Sequence, residues 1–558
     1  MNEMRSGGRF IAEFLKAHEV SHVFFVMAIL RRGLVEMEEV GIRRILTHSE
    51  KAAAYMADGY SRVSRKPGVC MAQSVGAANL ASGLQDPYFA HSAVIAITGR
   101  KPPVARYRNA YQELDHRPLF DPVTKFNADI DTIEQLPLLL AQAFREATSG
   151  APRPVHLDLL GYAGEFIEAG KTDVSPHLPF PSVRYPSSRP IPDPESVERA
   201  AEMLRASQRP VIVAGGGAIA SAAEADIRKL AELLSIPVAA SNDGKGTVPD
   251  KHPLSIGVMG SYSAPHTNRI VSEADLVLFI GSGTGDQVTH NWTVPSPETP
   301  VIQIDIDPRE AGRSYPRALP VCGDARTAVR QLIGLLSDPN PRRKWAEHAA
   351  KITAEWKESI APLQQSDAVP IRPERLCREL SAILPPDGIL VSDTGYSTVW
   401  TSTMVELSHS GQRYLRAAGS LGWAFPAAIG AKCALPDRPV ICFTGDGGFW
   451  YHLSELETAA RWNIPVVAVV SNNSCLGQSI LGIEAAYGNG PGKREEVCAF
   501  NRVNFARIAE EMGCLGIRAE HPAEIAPALS KALSAGRPAV VEVVTDGGSH
   551  PPFPWKPS

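Results

Sequence analysis

Short apolar runs alternate with stretches of helical periodicity along nearly the whole chain. The runs at residues 93–99, 210–214, 439–444 and 464–470 are rich in Val, Ile and Ala, which predicts strands that are buried on both faces of a sheet. Between the last two runs, residues 452–462 carry Leu and Ala at helical spacing. Strands and helices in regular alternation predict an α/β protein built on parallel sheets.

Two breaks in the alternation divide the chain into predicted domains. The Pro-rich stretch at residues 175–194 is typical of an extended linker. A second break is predicted where polar helical sequence from residue 339 leads to Pro-Ile-Arg-Pro at residues 370–373. A chain of 558 residues is too long for one hydrophobic core. We therefore predict three domains, each a parallel sheet flanked by helices, at residues 1–175, 190–340 and 370–558.

Composition narrows the class of partner. A formal net charge of -4, from 56 basic and 60 acidic residues, gives no electrostatic reason to expect nucleic acid or an anionic membrane surface. No apolar run has the length of a membrane span, and the N-terminus leads into an amphipathic helix rather than a signal core. We therefore expect a cytoplasmic protein that acts on small molecules. The 8 scattered cysteines contain no CxxC pair, which favours reduced thiols.

Two short polar segments follow neighbouring predicted strands. Gly445, Asp446, Gly447 and Gly448 come directly after the strand at residues 439–444, and Asn472-Asn473 follows the next strand. The carboxyl ends of neighbouring parallel strands meet at one edge of a sheet, so these side chains are expected to converge. Carboxylate, amide and main-chain oxygens suit Mg²⁺, and a Gly-rich turn before a helix supplies N–H donors for an anion. Either segment alone is an ordinary turn; together they predict a site for a metal-bound diphosphate.

The pair of segments resembles the signature of thiamine diphosphate enzymes, and the resemblance extends over the whole chain. Residues 43–60, 67–80 and 93–99 resemble the pyrimidine-binding domain of the acetolactate synthase-like group, and the third domain resembles its diphosphate-binding domain. The middle domain, with a Gly-rich turn at residues 215–217, resembles a nucleotide-binding fold. Read alone, that turn would also suit NAD in a dehydrogenase.

The resemblance implies a set of functional residues. Glu50 would support the imino tautomer of the cofactor's aminopyrimidine, although without the resemblance it is a first-turn carboxylate behind a Ser49 N-cap. Gln112 would face the reacting carbon from a neighbouring subunit, and Leu421 would separate the two cofactor rings, unless it is an ordinary core residue. The metal ligands would be Asp446, Asn473 and the main-chain carbonyl of Cys475. The remaining cofactor-binding residues would be Gly395, Tyr396, Ser397, Gly419, Gly445, Gly447, Gly448, Leu476 and Gly477.

The implied activity is cleavage and formation of C–C bonds on a 2-keto acid, with thiamine diphosphate as electron sink and Mg²⁺ as its anchor. The chain has no adjacent His-His pair, which favours carboligation or lysis over simple decarboxylation. The implied assembly is a homodimer or homotetramer with active sites between subunits. Two alternatives stay open: an enzyme similar to oxalyl-CoA decarboxylase or 2-hydroxyacyl-CoA lyase, and a non-catalytic homologue that keeps the cofactor fold.

Several positions depart from acetolactate synthases. Met27-Ala28-Ile29-Leu30 replaces their Pro-Gly turn, and Gly482 stands where they place the tryptophan that selects the acceptor. Gly283 and Gly285 replace an Arg and an Asp that contact FAD in the middle domain. Their absence disfavours FAD there and leaves ADP or no nucleotide as the alternatives. The tail at residues 550–556 is expected to be unstructured, with closure over a bulky substrate as the alternative.

Overall fold

The computed structural model describes residues 4–179, 182–336 and 341–557. Residues 180–181 of the predicted linker, and residues 337–340 at the predicted end of the middle domain, lie outside the described residues. The described chain contains three parallel sheets of six strands each, together with a small antiparallel pair. The predicted α/β architecture is thereby confirmed.

The first sheet has the strand order β3-β2-β4-β5-β7-β6. Its strands, with the antiparallel pair formed by the first and last, are β1 Arg5–Ser6, β2 His22–Phe25, β3 Arg43–Leu46, β4 Gly68–Ala72, β5 Val94–Arg100, β6 Phe126–Ile130, β7 Val155–Leu160 and β8 Lys171–Thr172. The helices are α1 Gly7–Ala17, α2 Arg31–Glu39, α3 Glu50–Ser64, α4 Gly76–Phe89, α5 Arg117–Phe120, α6 Leu136–Thr148 and α7 Glu165–Ala169.

The second sheet has the order β11-β10-β9-β12-β13-β14, which is the order of doubly wound dinucleotide-binding sheets. Its strands are β9 Pro210–Ala214, β10 Val238–Ala240, β11 Ser255–Val258, β12 Leu276–Ile280, β13 Val301–Asp305 and β14 Ala318–Cys322. The helices are α8 Pro194–Ala206, α9 Gly216–Ala220, α10 Glu224–Leu234, α11 Pro265–Ser272, α12 Asp286–Thr289 and α13 Ala325–Leu335.

The third sheet has the order β16-β15-β17-β18-β20-β19, so its connectivity repeats that of the first sheet. Its strands are β15 Ile389–Ser392, β16 Arg413–Arg416, β17 Val440–Gly445, β18 Val467–Asn472, β19 Leu515–Ala519 and β20 Ala539–Val544. The helices are α14 Arg343–Gln364, α15 Pro373–Ile383, α16 Tyr396–Met404, α17 Ala424–Ala434, α18 Asp446–Phe449, α19 Glu455–Arg461, α20 Gly477–Tyr487, α21 Phe505–Glu511 and α22 Pro522–Ser534.

Helix α14 occupies the region that the sequence predicts as a break between domains. Its first half packs Trp345 and Ile352 into the core beneath the second sheet, whereas Ile360 joins the core of the third sheet. The indole N–H of Trp345 also donates to the main-chain oxygen of Pro210 at 2.9 Å. The helix therefore joins two sheets, while the exact domain bounds stay a prediction.

The first and third sheets share one hydrophobic core through helices α3 and α17. Small residues bring these two helices into main-chain contact. A Cβ at Gly59 would lie 2.0 Å from the main-chain oxygen of Ala427, and a Cβ at Gly430 would lie 1.8 Å from that of Met56. No other residue type fits at either position without moving a helix.

Among the described residues, no helix is both long enough and apolar enough to cross a membrane. A cytoplasmic location stays a prediction.

The close crossing of α3 and α17 predicts that one added methyl group will strongly lower the unfolding free energy. Gly59→Ala or Gly430→Ala should lower the unfolding free energy by about 2 kcal/mol or more, because each Cβ would overlap a main-chain carbonyl. Thermal or urea unfolding measures this loss. Gly334→Ala is the matched control, since a Cβ at Gly334 in α13 has no atom of the described chain within 4 Å; it should be neutral or stabilise the protein by roughly 0.5–1 kcal/mol. Equal stabilities for Gly59→Ala and the wild type would contradict the crossing.

Candidate active site

The third sheet has its topological switch point between β15 and β17. From β15 the chain crosses to β16 on one side, and from β17 it crosses to β18 on the other, which opens a crevice at the carboxyl ends of these strands. Helices α16 and α18 begin in this crevice, at Tyr396 and Asp446. Two sets of main-chain N–H groups therefore point into one space, as anion binding requires.

Gly445 to Gly448 lead from β17 directly into a helix, and none of these glycines has a positive φ. Gly445 has φ -80°, and α18 begins at once at Asp446. The glycines serve close packing instead: a Cβ at Gly447 would lie 2.6 Å from Leu476 Cδ2, and one at Gly448 would lie 3.0 Å from Asp393 Oδ2. The nearest atom to a Cβ at Gly445 is Ser397 Oγ at 3.8 Å. Gly447 and Gly448 are therefore required by their neighbours rather than by positive φ.

The Asp446 carboxyl lies at the centre of the crevice and is buried. Burial raises its pKa to about 6, although the main-chain N–H groups of Gly447, Asn473 and Cys475 direct hydrogen bonds at it and oppose the rise. A carboxylate whose charge is disfavoured by burial gains most from a cation. The two other predicted metal ligands, Asn473 and Cys475, thus lie beside Asp446.

The two asparagines of the Asn-Asn pair have different roles. Asn472 donates to Glu542 at 2.7 Å and to the main-chain oxygen of Val503 at 3.2 Å, so it holds the sheet together. The side-chain oxygen of Asn473 accepts from Cys475 N at 3.1 Å, within a loop that turns at Ser474 with φ 58°. Asn473 therefore lies in the same loop as Cys475, and the main-chain N–H groups of both are directed at Asp446.

Close approaches also bring the remaining third-domain candidates together. A Cβ at Gly477 would lie 3.2 Å from Asn473 Nδ2 and 3.5 Å from Tyr396 Cδ2. Gly395 has φ 69°, and a Cβ there would lie 2.7 Å from Gln478 Oε1. The structure thus gathers the following predicted residues around one crevice: Gly395, Tyr396, Ser397, Gly445, Asp446, Gly447, Gly448, Asn473, Cys475, Leu476 and Gly477.

Asp393 is a structural residue of the crevice that sequence reasoning missed. Its buried carboxyl accepts from the main-chain N–H groups of Thr394 at 2.8 Å and Gly422 at 3.0 Å, and from the Thr444 hydroxyl at 3.2 Å. Burial raises the pKa of this carboxyl to about 6. Asp393 therefore ties the ends of β15 and β17 to the loop before α17. A carboxylate directly after a buried strand was the available signal.

That loop carries Gly419 and Leu421. Leu421 is half-buried and is not part of the hydrophobic cores around the third sheet. This disfavours the alternative that it is an ordinary core residue. A Cβ at Gly419 would have no atom of the described chain within 4 Å, so this position faces open space. Both residues border the crevice through the bond from Gly422 to Asp393.

Asp86, from the first domain, fixes the same loop and was also missed. Its buried carboxylate accepts from the main-chain N–H groups of Ala418, Gly419 and Ser420 at 3.0, 3.2 and 3.0 Å, and it pairs with Arg62 at 2.9 Å. The loop is thus shaped by a carboxylate more than three hundred residues away in the chain. No local pattern in the sequence indicates this contact.

The two first-domain candidates make their hydrogen bonds within the first domain. Glu50 begins α3 behind Ser49, whose hydroxyl accepts from Ala52 N as expected of an N-cap. Its carboxylate accepts from Asn79 Nδ2 at 3.2 Å, and a Cβ at Gly76 would lie 2.5 Å from Glu50 Oε1. The main-chain oxygen of Gln112 accepts from Ser74 at 2.6 Å. The recorded contacts of Glu50 and Gln112 are therefore with their own domain.

The donor set at Asp446 fits a hard divalent cation bound to a diphosphate. It offers one desolvated carboxylate, one amide oxygen and main-chain groups, which suit an ion that keeps phosphate oxygens and water in its shell. No three His, Cys, Asp or Glu side chains in the described parts of the chain are grouped as a metal site. The crevice therefore fits Mg²⁺ with a diphosphate better than it fits a metal held by side chains alone.

The C-terminal tail is not unstructured, so that expectation was wrong. A Cβ at Gly547 would lie 3.8 Å from Asn473, and the His550 ring meets Tyr396 edge-on with 6.3 Å between centroids. Further along, the main-chain oxygen of Trp555 accepts from Asn268 at 3.3 Å, and its indole packs on the core of the second sheet. The tail lacks helix and strand but is held against the crevice and the middle domain by these contacts.

The middle domain has its own cavity at its switch point, between the ends of β9 and β12. It has a volume of about 270 Å³ and is lined in part by Gly216, Gly283, Asp305 and Asp324. Burial raises the pKa of Asp305 to about 6. A Cβ at Gly283 or Gly285 would have no atom of the described chain within 4 Å. No neighbouring side chain therefore fills the space beside these two glycines.

Three α/β domains, with a crevice at the end of the third sheet that holds a buried carboxyl and two helix N-termini, are the arrangement expected of a cofactor-dependent enzyme. Three family models match the chain: the N-terminal TPP binding domain of thiamine pyrophosphate enzymes over residues 5–119, their central domain over 197–332 and their C-terminal TPP binding domain over 393–543. Thiamine pyrophosphate is the same compound as thiamine diphosphate. The chain belongs to the thiamine pyrophosphate enzymes and is an enzyme of the acetolactate synthase type.

Similar proteins agree with this assignment. The probable acetolactate synthase large subunit of Methanocaldococcus jannaschii is 35% identical over 516 residues, which cover 90% of this chain and 85% of the relative. That of Methanococcus aeolicus is 34% identical over 530 residues, covering 90% and 86%. The large subunit of acetolactate synthase isozyme 1 of Escherichia coli is 30% identical over 553 residues, covering 97% and 94%.

The pKa of Asp446 predicts how cation binding depends on pH. Because this pKa is raised to about 6, the metal-free folded state binds the proton more tightly than the unfolded state does. The bound proton therefore adds to the unfolding free energy at low pH, and this addition is lost as the pH rises through 6. A cation needs the ionised form, so Mg²⁺ affinity should fall about tenfold per pH unit below pH 6. Mg²⁺ titrations at a fixed excess of thiamine diphosphate, followed by the melting temperature, measure this.

The control for that titration removes the carboxylate. Asp446→Asn should lose the Mg²⁺-dependent rise in melting temperature at every pH, whereas Asp437→Asn, at an exposed position, should retain it. An Asp446→Asn protein that Mg²⁺ stabilises as strongly as the wild type would show that the cation binds elsewhere.

Proposed function

We propose that the protein is a Mg²⁺- and thiamine diphosphate-dependent enzyme that cleaves the C–C bond of a 2-keto acid and transfers the acyl unit to a second carbonyl compound. The observation that carries the proposal is the convergence of Asp446, Asn473 and Cys475 at the start of α18, in a chain whose relatives are named acetolactate synthases.

Each part of the crevice has a proposed role. Asp446, Asn473 and the carbonyl of Cys475 bind Mg²⁺, and the N–H groups at the starts of α16 and α18 bind the diphosphate. The carbonyl of Gly419 accepts the cofactor's amino group, and Leu421 lies between its two rings. When bound, the cofactor supplies an electron sink for the bond that is broken.

Glu50 holds a proton at the pyrimidine ring of the cofactor, and Gln112 faces the substrate. Both residues belong to a different subunit from the one that supplies Asp446. Two observations support this division of the site between chains. The contacts of Glu50 stay within its own domain, and Oε1 of Gln112 is buried without a hydrogen-bond partner in the described chain. A buried amide oxygen without a donor is costly, so a group supplied at the assembled site explains it. The functional unit is then at least a homodimer.

The acceptor side of the proposed site, at α20, is open in this chain. A Cβ at Gly482 would have no described atom within 4 Å, and every residue of α20 is at least partly exposed. This openness favours an acceptor or donor larger than a short keto acid. The same openness supports a second candidate function, which is the cleavage of an acyl-CoA as in oxalyl-CoA decarboxylase or 2-hydroxyacyl-CoA lyase.

For the middle domain we propose a nucleotide of ADP size rather than FAD. The cavity of about 270 Å³ is slightly smaller than the range of about 300–1,000 Å³ that is usual for ligand sites. Gly283 and Gly285 offer no side chain to a flavin, whereas the Asp305 carboxyl at the end of β13 can accept hydroxyl groups of a ribose.

The nucleotide proposal predicts the composition of the purified protein. Heat-denatured protein should release no flavin absorbance, and incubation with ADP should raise the melting temperature by mass action. Asp305→Asn should reduce that rise, because a ribose hydroxyl would lose its charged acceptor. Release of stoichiometric FAD would refute the proposal.

The division of the site between chains predicts complementation. Glu50→Gln and Asp446→Asn proteins should each be inactive. Randomly mixed dimers should recover about a quarter of wild-type activity, since half of the dimers are mixed and each mixed dimer holds one intact site. Product formation from pyruvate measures activity. An active protein that light scattering shows to be a monomer would count against a shared site. A mixture of the two variants that recovers no activity would also count against it.

The substrate class is tested by a screen of 2-keto acids, with and without aldehyde or keto acceptors, alongside acyl-CoA donors, with products identified by mass spectrometry. Turnover of a 2-keto acid with acceptor supports the proposal, and turnover of an acyl-CoA alone supports the second candidate. Tight cofactor binding with no turnover of any of these donors would refute both proposed substrate classes.

A further inference from the structure

A second charged cavity lies where the three domains meet, away from the crevice at Asp446. It has a volume of about 480 Å³. Its walls come from the C-terminal end of α3, from α9 and α10 of the middle domain, and from β16 with its preceding loop. We call it the basic groove and define it by four arginines in its lining: Arg65, Arg228, Arg413 and Arg438.

Other charged side chains in the lining are already neutralised. Lys245 pairs with Asp250 at 2.9 Å, and Asp243 pairs at 2.9 Å with Arg416, which lines the middle-domain cavity. Arg62 pairs with two carboxylates of the first domain. The lining carboxylate that is left is Glu224. The groove therefore keeps an excess of positive charge on the four arginines that define it.

The four arginines have no carboxylate partner within ion-pair distance in the described ranges of the chain. Arg413 donates to the main-chain oxygen of Val63 at 2.9 Å, and Arg438 donates to the main-chain oxygens of Asp387 and Gly411. These carbonyls orient the guanidinium groups without neutralising them.

The cations also disfavour one another. Burial and the nearby charges of Arg65 and Arg438 lower the pKa of Arg413, while burial lowers that of Arg438. Like charges held together in a partly dehydrated space raise the free energy of the empty groove. An anion that bridges them removes this cost, and guanidinium forks fit phosphate oxygens in bidentate geometry.

We propose that the basic groove binds a chain of phosphate groups, and that this site is separate from the cofactor's diphosphate site. It lies at β16 and α10, whereas the cofactor crevice lies at the ends of β15 and β17. The inference does not depend on the proposed reaction.

The bound phosphates have two sources with shared chemistry. The groove and the middle-domain cavity share His91, Gly216 and Asp243 in their linings, so a nucleoside polyphosphate can place its base in that cavity and its phosphates on the arginines. A free polyphosphate would use the arginines alone.

The test uses holoenzyme saturated with Mg²⁺ and thiamine diphosphate. Tripolyphosphate and ATP are each titrated by calorimetry in low-salt buffer matched in free Mg²⁺. Arg65→Gln and Arg228→Gln should each weaken binding about tenfold, because each removes charge-assisted hydrogen bonds to phosphate. Lys229→Gln is the matched control: Lys229 is exposed on the same helix as Arg228 but does not line the groove, so affinity should stay within about twofold.

Either ligand bound in this pattern supports the groove, and the two titrations separate the sources. Tighter binding of ATP than of tripolyphosphate identifies a nucleotide, and equal binding identifies the phosphate chain alone. Binding that is unchanged in the Arg65→Gln/Arg228→Gln double variant, or no binding to the wild type even at low salt, would overturn the proposal.

Discussion

The main-chain contact between α3 and α17 is the constraint on which the rest of the structure depends. Gly59 against Ala427 and Gly430 against Met56 leave no space for a methyl group, so the first and third sheets are held in one relative position. The same joint carries Asp86, which fixes Ala418, Gly419 and Ser420, and Asp58, which accepts from the Trp423 indole at 2.9 Å. The loop that borders the candidate crevice is therefore shaped by the joint between domains.

Three sheets provide three switch points, and their different uses follow from their lining. The first and third sheets repeat one strand order, whereas the middle sheet has the dinucleotide-binding order. At the third switch point the donors suit a cation and a diphosphate, and at the middle one a carboxyl and glycines surround a cavity of about 270 Å³. The basic groove lies beside the middle cavity because α10 and β16 meet there. Fold alone does not assign these roles; the residues at the strand ends do.

Much of the fold was predictable, and the errors have identifiable causes. Buried parallel strands read as continuous apolar runs, so β5, β9, β17 and β18 were placed within a few residues. β18 begins at Val467 rather than residue 464, since Pro465 lacks the N–H that a ladder needs. The sequence does not show whether close packing or positive φ requires the glycines after β17, because both favour the same residue type. Asp86 and Asp393 were missed because their partners are distant in the chain.

The sequence by itself determined the fold class, the family and the neighbouring positions of Asp446 and Asn473. These follow from short-range order: two consecutive parallel strands bring their ends together wherever the rest of the chain lies. The tertiary structure decided the orientation of the Gly419 loop, the docking of the tail on Tyr396 and Asn268, and the meeting of Arg65, Arg228, Arg413 and Arg438 in one groove. Those features join residues from different domains, and only packing between domains sets such distances.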